Sequence, residues 1–171
     1  KYCSRNHITF NQVSNLNTFA QQKKDFDLII YAGGGILRKS FINRAKIGVL
    51  NAHSGPLPLI RGMNAIEWSL FNQIRPRTTI HFINQGIDTG RIIMSDEIPY
   101  SNNLYTLRGN AVVHNVQLLS KVLKNKLYEK SLENNSVEVG KQYFVMHSTL
   151  KDHIIHKMKD DSFYKSLHKD V

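Results

Sequence analysis

The first third of the chain alternates polar stretches with short apolar runs. A polar segment holding Ser14, Asn15, Leu16, Phe19 and Ala20 has cap residues followed by helical apolar spacing, which predicts a short helix. Asp25-Phe26-Asp27 then leads into Leu28-Ile29-Ile30-Tyr31-Ala32. That unbroken apolar run is too short for most helices and reads as a strand buried on both faces. It stops at Gly33-Gly34-Gly35, where the backbone can turn sharply or approach a ligand closely. Ile36, Leu37, Phe41 and Ile42 are spaced for a helix, and Ile47-Gly48-Val49-Leu50 is a second short apolar strand. Two apolar strands joined by a helical crossover predict parallel pairing in an α/β sheet.

Beyond Leu50 the pattern continues in the same register of alternation. A loop with Gly55, Pro56, Pro58 and Gly62 precedes a helix marked by Met63, Ile66, Leu70 and Phe71, with Trp68 on its core side. Residues 78–83 and 92–98 are β-branched or apolar strands, separated by the loop Asn84-Gln85-Gly86-Ile87-Asp88-Thr89-Gly90. Leu104, Leu107, Ala111, Val112, Leu119, Val122 and Leu123 follow a helical period over 104–127, so a long helix covers one face of the sheet. A polar stretch, 133–139, comes before a last short strand within 141–146. Leu150, Ile154, Ile155 and Met158 give a weaker helical pattern in 147–171, which is set apart as a tail or extension of a domain over 1–146.

Composition narrows the class. The 171 residues are 41% hydrophobic and 21% charged, with 4 Pro and 10 Gly, enough for one domain with a real core. No apolar run reaches the roughly 18 residues of a membrane span, and the start of the chain lacks a signal-peptide pattern. One cysteine, Cys3, leaves no disulfide framework. The expectation is a soluble cytoplasmic protein. The net charge is +10, and its excess lies in the first 50 residues, where eight Lys/Arg face Asp25 and Asp27. Such a surface attracts a nucleotide, a phosphate, a folate carboxylate or nucleic acid, and charge alone does not choose among them.

In open α/β sheets ligands sit beyond the carboxyl ends of the strands, which here are Gly33-Gly34-Gly35 and Asn51-Ala52-His53. The glycine triplet matches neither GxGxxG nor GK[ST]. Asn51 and His53 alternate after a buried strand, so they project the same way if the strand continues. Asp88 lies on a glycine-flanked loop that can fold over the same edge. An imidazole beside a carboxylate can shuttle a proton near neutral pH, and a side-chain amide can donate to a developing oxyanion. The three suit acyl transfer to a substrate amine. On spacing alone structural duty is the better reading, with Asn51 capping a turn, His53 as a satisfied buried polar group and Asp88 closing a hairpin. His147, His153 and His156 lack the geometry of a metal site, and no metal is expected.

The run from Asn51 to Gly62, Asn-Ala-His-Ser-Gly-Pro-Leu-Pro-Leu-Ile-Arg-Gly, resembles the Asn-x-His-x-x-x-Leu-Pro-x-x-(Arg/Lys)-Gly signature of the folate-dependent formyltransferases. Thr79-Ile80-His81 followed by Asp88-Thr89-Gly90-Arg91-Ile92 resembles their second signature, Thr-x-His…Asp-x-Gly-x-Ile. The motifs stand in the right order, with 35 positions from His53 to Asp88, and the resemblance covers most of 26–127. It implies a Rossmann-like α/β domain with a mostly parallel sheet flanked by helices, acting on 10-formyltetrahydrofolate. Asn51 would bind the formyl oxygen as it becomes an oxyanion. His53 would stabilise that charge and move a proton, and Asp88 would help deprotonate the attacking amine. The loop with Asn84, Gln85, Gly86, Ile87 and Thr89 would contact the pteridine, together with Gly33, Gly34, Ile36 and Leu37 at the first strand's end. His81 would position at most.

Two departures stand out. Members of the family begin with a βαβ unit, so about 70 residues of a domain of ordinary size are expected ahead of this chain. Gly55 and Pro56 replace the more usual residues of the first motif, which reads as tolerable variation. Among acceptors a nucleotide-linked amino sugar is expected: the stretch from Arg61 to Trp68 resembles the sugar and tRNA branches more than the purine branch, and no sizeable domain to hold tRNA is expected after it. Methionyl-tRNA, glycinamide ribonucleotide, water as in a hydrolase, and a non-catalytic fragment are the alternatives. Nucleic acid is a less favoured partner, no membrane is expected, and a homodimer stays open.

Overall fold

The computed structural model describes residues 2–19, 25–33, 35–129, 140–160 and 162–168. Gly34, Ala20 and the polar stretch 133–139 lie outside them. Two single-turn helices, α1 (Tyr2–Arg5) and α2 (Leu16–Phe19), precede β1 (Phe26–Tyr31). The crossover to β2 (Ala45–His53) contains only a short helix, α3 (Lys39–Ile42). Ile36 and Leu37 belong to the extended approach to α3 rather than to the helix. β3 (Ile60–Gly62) and α4 (Ala65–Phe71) lead to β4 (Arg77–Phe82) and β5 (Ile92–Glu97). The long helix α5 (Leu104–Lys124) follows, then β6 (Lys141–Tyr143), α6 (Ser148–Lys157) and α7 (Phe163–Ser166).

The main sheet runs β1-β2-β4-β5, and β3 pairs with β6 in a second, two-stranded sheet. β1/β2 and β3/β6 are parallel, as the crossover reading implies, while β2/β4 and β4/β5 are antiparallel. The parallel share of the main sheet is thus one ladder of three, smaller than expected. The link 83–91 is too short for the crossover that a parallel β4/β5 pair needs. The α/β class and the flanking helices stand as the sequence implies.

β2 runs past the apolar residues through Asn51 to His53, so strand geometry does persist into the motif. Register then sets the site. Tyr31 pairs with Asn51, Asn51 with His81, and His53 with Thr79. Directly paired residues share a face of a sheet, which places Tyr31, Asn51 and His81 in one row across three strands. The other face carries Leu50, Ile80 and Ile93, buried against Leu118 and Val122 of α5. Helix α5 starts where the Asn103 side chain accepts from the amides of Tyr105 and Thr106, at 2.9 and 3.0 Å. Lys121 and Lys124 in its last turn complement the helix dipole.

The segment 147–168 shares the main core. Ile154 and Met158 of α6, with Phe163 and Leu167, are buried among Ile66, Leu70, Leu104 and Leu107. A polar clasp adds to this. Tyr164 stacks on Tyr100 with centroids 4.2 Å apart, lies under the Arg75 guanidinium at 4.5 Å, and reaches Glu97 at 3.3 Å, while Glu97 also pairs with Arg75.

Candidate active site

Asp88, 35 positions beyond His53, joins Asn51 and His53 at the end of β2. Asp88 gets there on a loop built from its own side chains. The Asn84 carboxamide oxygen accepts from the Gly86 amide at 3.0 Å and from the Thr89 hydroxyl at 2.6 Å. At Gly90 a Cβ would lie 1.7 Å from the Phe82 carbonyl oxygen, so only glycine lets the loop fold back onto β4. Asp88 itself takes a left-handed backbone, φ 52°, a conformation Asp tolerates better than most residues. This turns its carboxylate toward β3, where Oδ2 accepts from the Gly62 amide at 2.9 Å.

Both histidines face that carboxylate. His53 Nδ1 is 3.4 Å from Asp88 Oδ2, and His81 Nε2 is 3.6 Å from Oδ1. The second nitrogen of each ring defines its proton. His53 Nε2 donates to the Ile60 carbonyl at 2.9 Å, and His81 Nδ1 donates to the Phe82 carbonyl at 2.9 Å. His81 Nε2 therefore carries a lone pair, which accepts from the Asn51 amide nitrogen at 3.2 Å. That bond fixes which end of the Asn51 carboxamide faces His81. Its other N–H and its oxygen stay available to the cleft. Burial, 1% exposed, lowers the His81 pKa to about 4, against the opposing pull of the Asp88 carboxylate. His81 is accordingly neutral at physiological pH, as its acceptor role requires.

His53 differs. In the neutral ring with Nε2–H, Nδ1 turns a lone pair toward the carboxylate. The contact is attractive only when the pair holds one additional proton, which can sit between Nδ1 and Oδ2. The ring is seated tightly: a Cβ on Gly55 would come within 2.6 Å of His53 Nε2 and 2.7 Å of the Ala65 Cβ. Thr79 holds the loop beyond it, its hydroxyl donating to the Gly55 carbonyl at 2.7 Å.

A cleft opens over this row, bounded on one side by Tyr31, Gly35, Ile36 and Leu37 and on the other by Ile83 to Asp88, with Asn51 and His81 at its floor. Of the residues expected to hold a donor, Ile36, Leu37, Asn84, Gln85, Gly86 and Ile87 line it. Gly33 and Thr89 stand behind the lining; the Thr89 hydroxyl is committed to Asn84. Gly34 lies outside the described residues. His53 is also behind the cleft wall, with both ring nitrogens engaged, so it reaches the cleft through Asp88. Sequence reasoning passed over Tyr31 and Ile83 and gave His81 a positioning role at most; its bond to Asn51 is a contact of that kind. The β2/β4 register that makes His81 the partner of Asn51 is not readable from spacing. Among the described residues, no group of three or more His, Cys, Asp or Glu could hold a metal ion, and no helix is long and apolar enough to cross a membrane.

Comparison with known proteins places this geometry. Similar curated proteins include methionyl-tRNA formyltransferases from Clostridium beijerinckii, 33% identical over 105 residues (60% of this chain, 34% of that protein), and Finegoldia magna, 30% identical over 118 residues (66% and 38%). The chain thus spans little more than a third of the length of these relatives. Among solved structures, the formyltransferase PseJ from Anoxybacillus kamchatkensis, in complex with UDP-4,6-dideoxy-4-formamido-L-AltNAc and tetrahydrofolate, matches with a TM-score of 0.61 at 23% identity, over 82% of this chain and 76% of that one. A 4-N formyltransferase from Francisella tularensis matches with a TM-score of 0.61 at 21% identity, over 82% and 58%. The formyl transferase family model matches residues 2–134, a stretch that carries both motifs and the whole Asn51–His81–Asp88 cluster, and the chain belongs to that family.

Proposed function

We propose that this chain transfers the formyl group of 10-formyltetrahydrofolate to a substrate amine, and that the amine belongs to a nucleotide-linked amino sugar. The observation that carries the first half is the placement of an amide donor, Asn51, and a carboxylate, Asp88, along the lining of a single cleft, with the His53 imidazole 3.4 Å from that carboxylate. The donor supplies an activated formyl carbon. Asn51, held by His81, offers its free N–H to the formyl oxygen as negative charge develops there. Attack by the amine leaves a proton on its nitrogen. Asp88 takes that proton and shares it with His53 Nδ1, converting a lone-pair contact into a charge-assisted bond. The same proton then returns to the departing folate nitrogen as the carbon–nitrogen bond breaks, so atoms and charge balance.

The extent of the match to PseJ on both chains supports a sugar-linked acceptor, and the stretch from Arg61 to Trp68 fits this reading and the next one alike. The identity to methionyl-tRNA formyltransferases and the net charge of +10 support a second reading, methionyl-tRNA. The test incubates the full chain with 10-formyltetrahydrofolate and, in separate arms, UDP-linked 4-amino sugars, methionyl-tRNA, or water alone. Tetrahydrofolate release and product mass are followed. A formylated sugar is the expected product. Formylated methionyl-tRNA would select the second reading, and formate without an acceptor would identify a hydrolase. No turnover, together with no binding of a stable donor analogue by the folded chain, would refute the donor assignment.

A further inference from the structure

The cleft wall opposite Asp88 is a stretch of chain with little reason of its own to hold one shape. Gly33 and Gly35 sit at φ +90° and +100°, and a Cβ on either would meet nothing within 4 Å. Glycine is there for backbone freedom rather than for space. Such a turn carries a large entropy cost of ordering, and both glycines are exposed. Only Leu37, packed with Phe41 and Val49, anchors the wall through apolar burial.

Two side chains, one at the end of β1 and one from α2, hold residues 35–38. The Tyr31 hydroxyl donates to the Gly35 carbonyl. From α2, the Asn17 carboxamide brackets Leu37 on both sides. Its Nδ2 donates to the Ile36 carbonyl at 3.1 Å and its Oδ1 accepts from the Arg38 amide at 2.7 Å. This pair of bonds imitates a neighbouring strand where the described residues offer none. Tyr31 lines the same cleft and pairs with Asn51 in the β1/β2 register, so its phenol ties the wall to the row that holds the amide donor.

We propose that Asn17 and Tyr31 are positioning residues for the formyl donor, fixing residues 35–38 as a preformed wall against which its flat pteridine ring lies. The proposal rests on the donor reading above. A wall ordered in advance spares the donor the cost of ordering it on binding. The effect therefore appears in donor affinity and leaves the chemical step alone.

The experiment compares wild type, Tyr31→Phe, Asn17→Ala and the double variant by calorimetric binding of a stable 10-formyltetrahydrofolate analogue, with donor kinetics alongside. Each single variant should weaken binding about three- to tenfold, the worth of an ordinary hydrogen bond. The double variant should weaken it further. The donor KM should rise by the same factor with kcat retained, thermal unfolding should fall by no more than a few degrees, and amide exchange at 35–38 should speed up. Wild-type affinity in both single variants would overturn the proposal, as would a fall in kcat at unchanged KM. Absence of binding by the wild type is a different outcome: it removes the donor reading, and this proposal with it.

Discussion

Gly55→Ala is the smallest change that tests the architecture of the cluster. The substitution adds one methyl group, which would stand 2.6 Å from His53 Nε2, 3.0 Å from its Cδ2 and 2.7 Å from the Ala65 Cβ. The nearest tolerable carbon contacts are about 3.5 Å, so the ring has to retreat by close to 1 Å. His53 cannot do so and keep its partners. Its Nε2–H is 2.9 Å from the Ile60 carbonyl, and a shift of that size on either side leaves hydrogen-bond range. Its Nδ1, at 3.4 Å from Asp88, is already at the edge of contact. A misplacement of about 1 Å costs on the order of 10² in rate, and overpacking of this kind costs about 1–3 kcal/mol in stability. The assay is turnover measured as tetrahydrofolate release, beside the NMR chemical shift and solvent exchange of the His53 Nε2–H proton, which need no substrate. The expected result is a folded protein with roughly 10²-fold lower kcat and a His53 Nε2–H signal that is shifted and exchanges faster. Gly109→Ala is the control: its Cβ meets open space on α5, and the protein should gain about 0.5–1 kcal/mol with activity unchanged. Turnover within threefold of wild type and an unmoved His53 Nε2–H signal in Gly55→Ala would show that the ring does not depend on the contacts assigned to it.

Three further outcomes follow from the same contacts. Asp88→Asn keeps an oxygen for the Gly62 amide, so the fold should survive, while loss of the proton acceptor should lower kcat by about 10²–10⁴, read in the acceptor assay. His81 is neutral in the fold, with a pKa of about 4 set mainly by burial against about 6.5 when unfolded. Between those values the unfolded chain binds more protons, so stability is full above about pH 6.5, falls as pH drops toward 4, and levels off below it. Denaturant unfolding from pH 7 to 4 should show wild type losing on the order of 1–3 kcal/mol more than His81→Gln over that window. Arg108→Ala strips the cation from Glu67, a carboxylate only 2% exposed, and leaves it the Asn64 amide alone at 3.2 Å. Because Arg108 is itself 39% exposed, the loss should be about 1–3 kcal/mol, below that of a fully buried pair, and Glu67→Gln should recover part of it in chemical denaturation.

How far the site could be read from sequence depends on whether a residue's role is local. Asn51 and His53 were legible because alternation along one strand is a local rule, and β2 obeys it through His53. The 84–90 loop was legible for the same reason: its glycines and its Asn84 turn are short-range chemistry. His81 was not. Its neutrality and its hold on Asn51 both come from the β2/β4 pairing, and a slip of one residue would turn it to the face covered by α5. Gly55 was misjudged by the same logic. As a departure from a motif it looks like tolerated variation, yet the ring it accommodates is two residues away and turned back upon it. The strand directions followed this division too. Local apolar runs located β1, β2, β4 and β5, but their antiparallel pairings arise from link length and from what packs between.

The tail carries the argument one step further. Its helical signal, Leu150, Ile154, Ile155 and Met158, was weak because one buried stripe on a short, mostly polar helix is all the core demands of it. Its partners, Ile66 and Leu70 on α4 with Leu104 and Leu107 on α5, sit far away in sequence. α4 is also the helix that carries Ala65, against which the Gly55 and His53 seat is built. The segment that sequence set apart therefore shares a core with the helix that backs the site. A truncation at 146 would strip Ile154, Met158, Phe163 and Leu167 from Ile66 and Leu70, and α4 would lose the burial that holds Ala65 beside Gly55, next to the ring. The position of His53 thus depends on the last helices of the chain as well as on the motif that contains it.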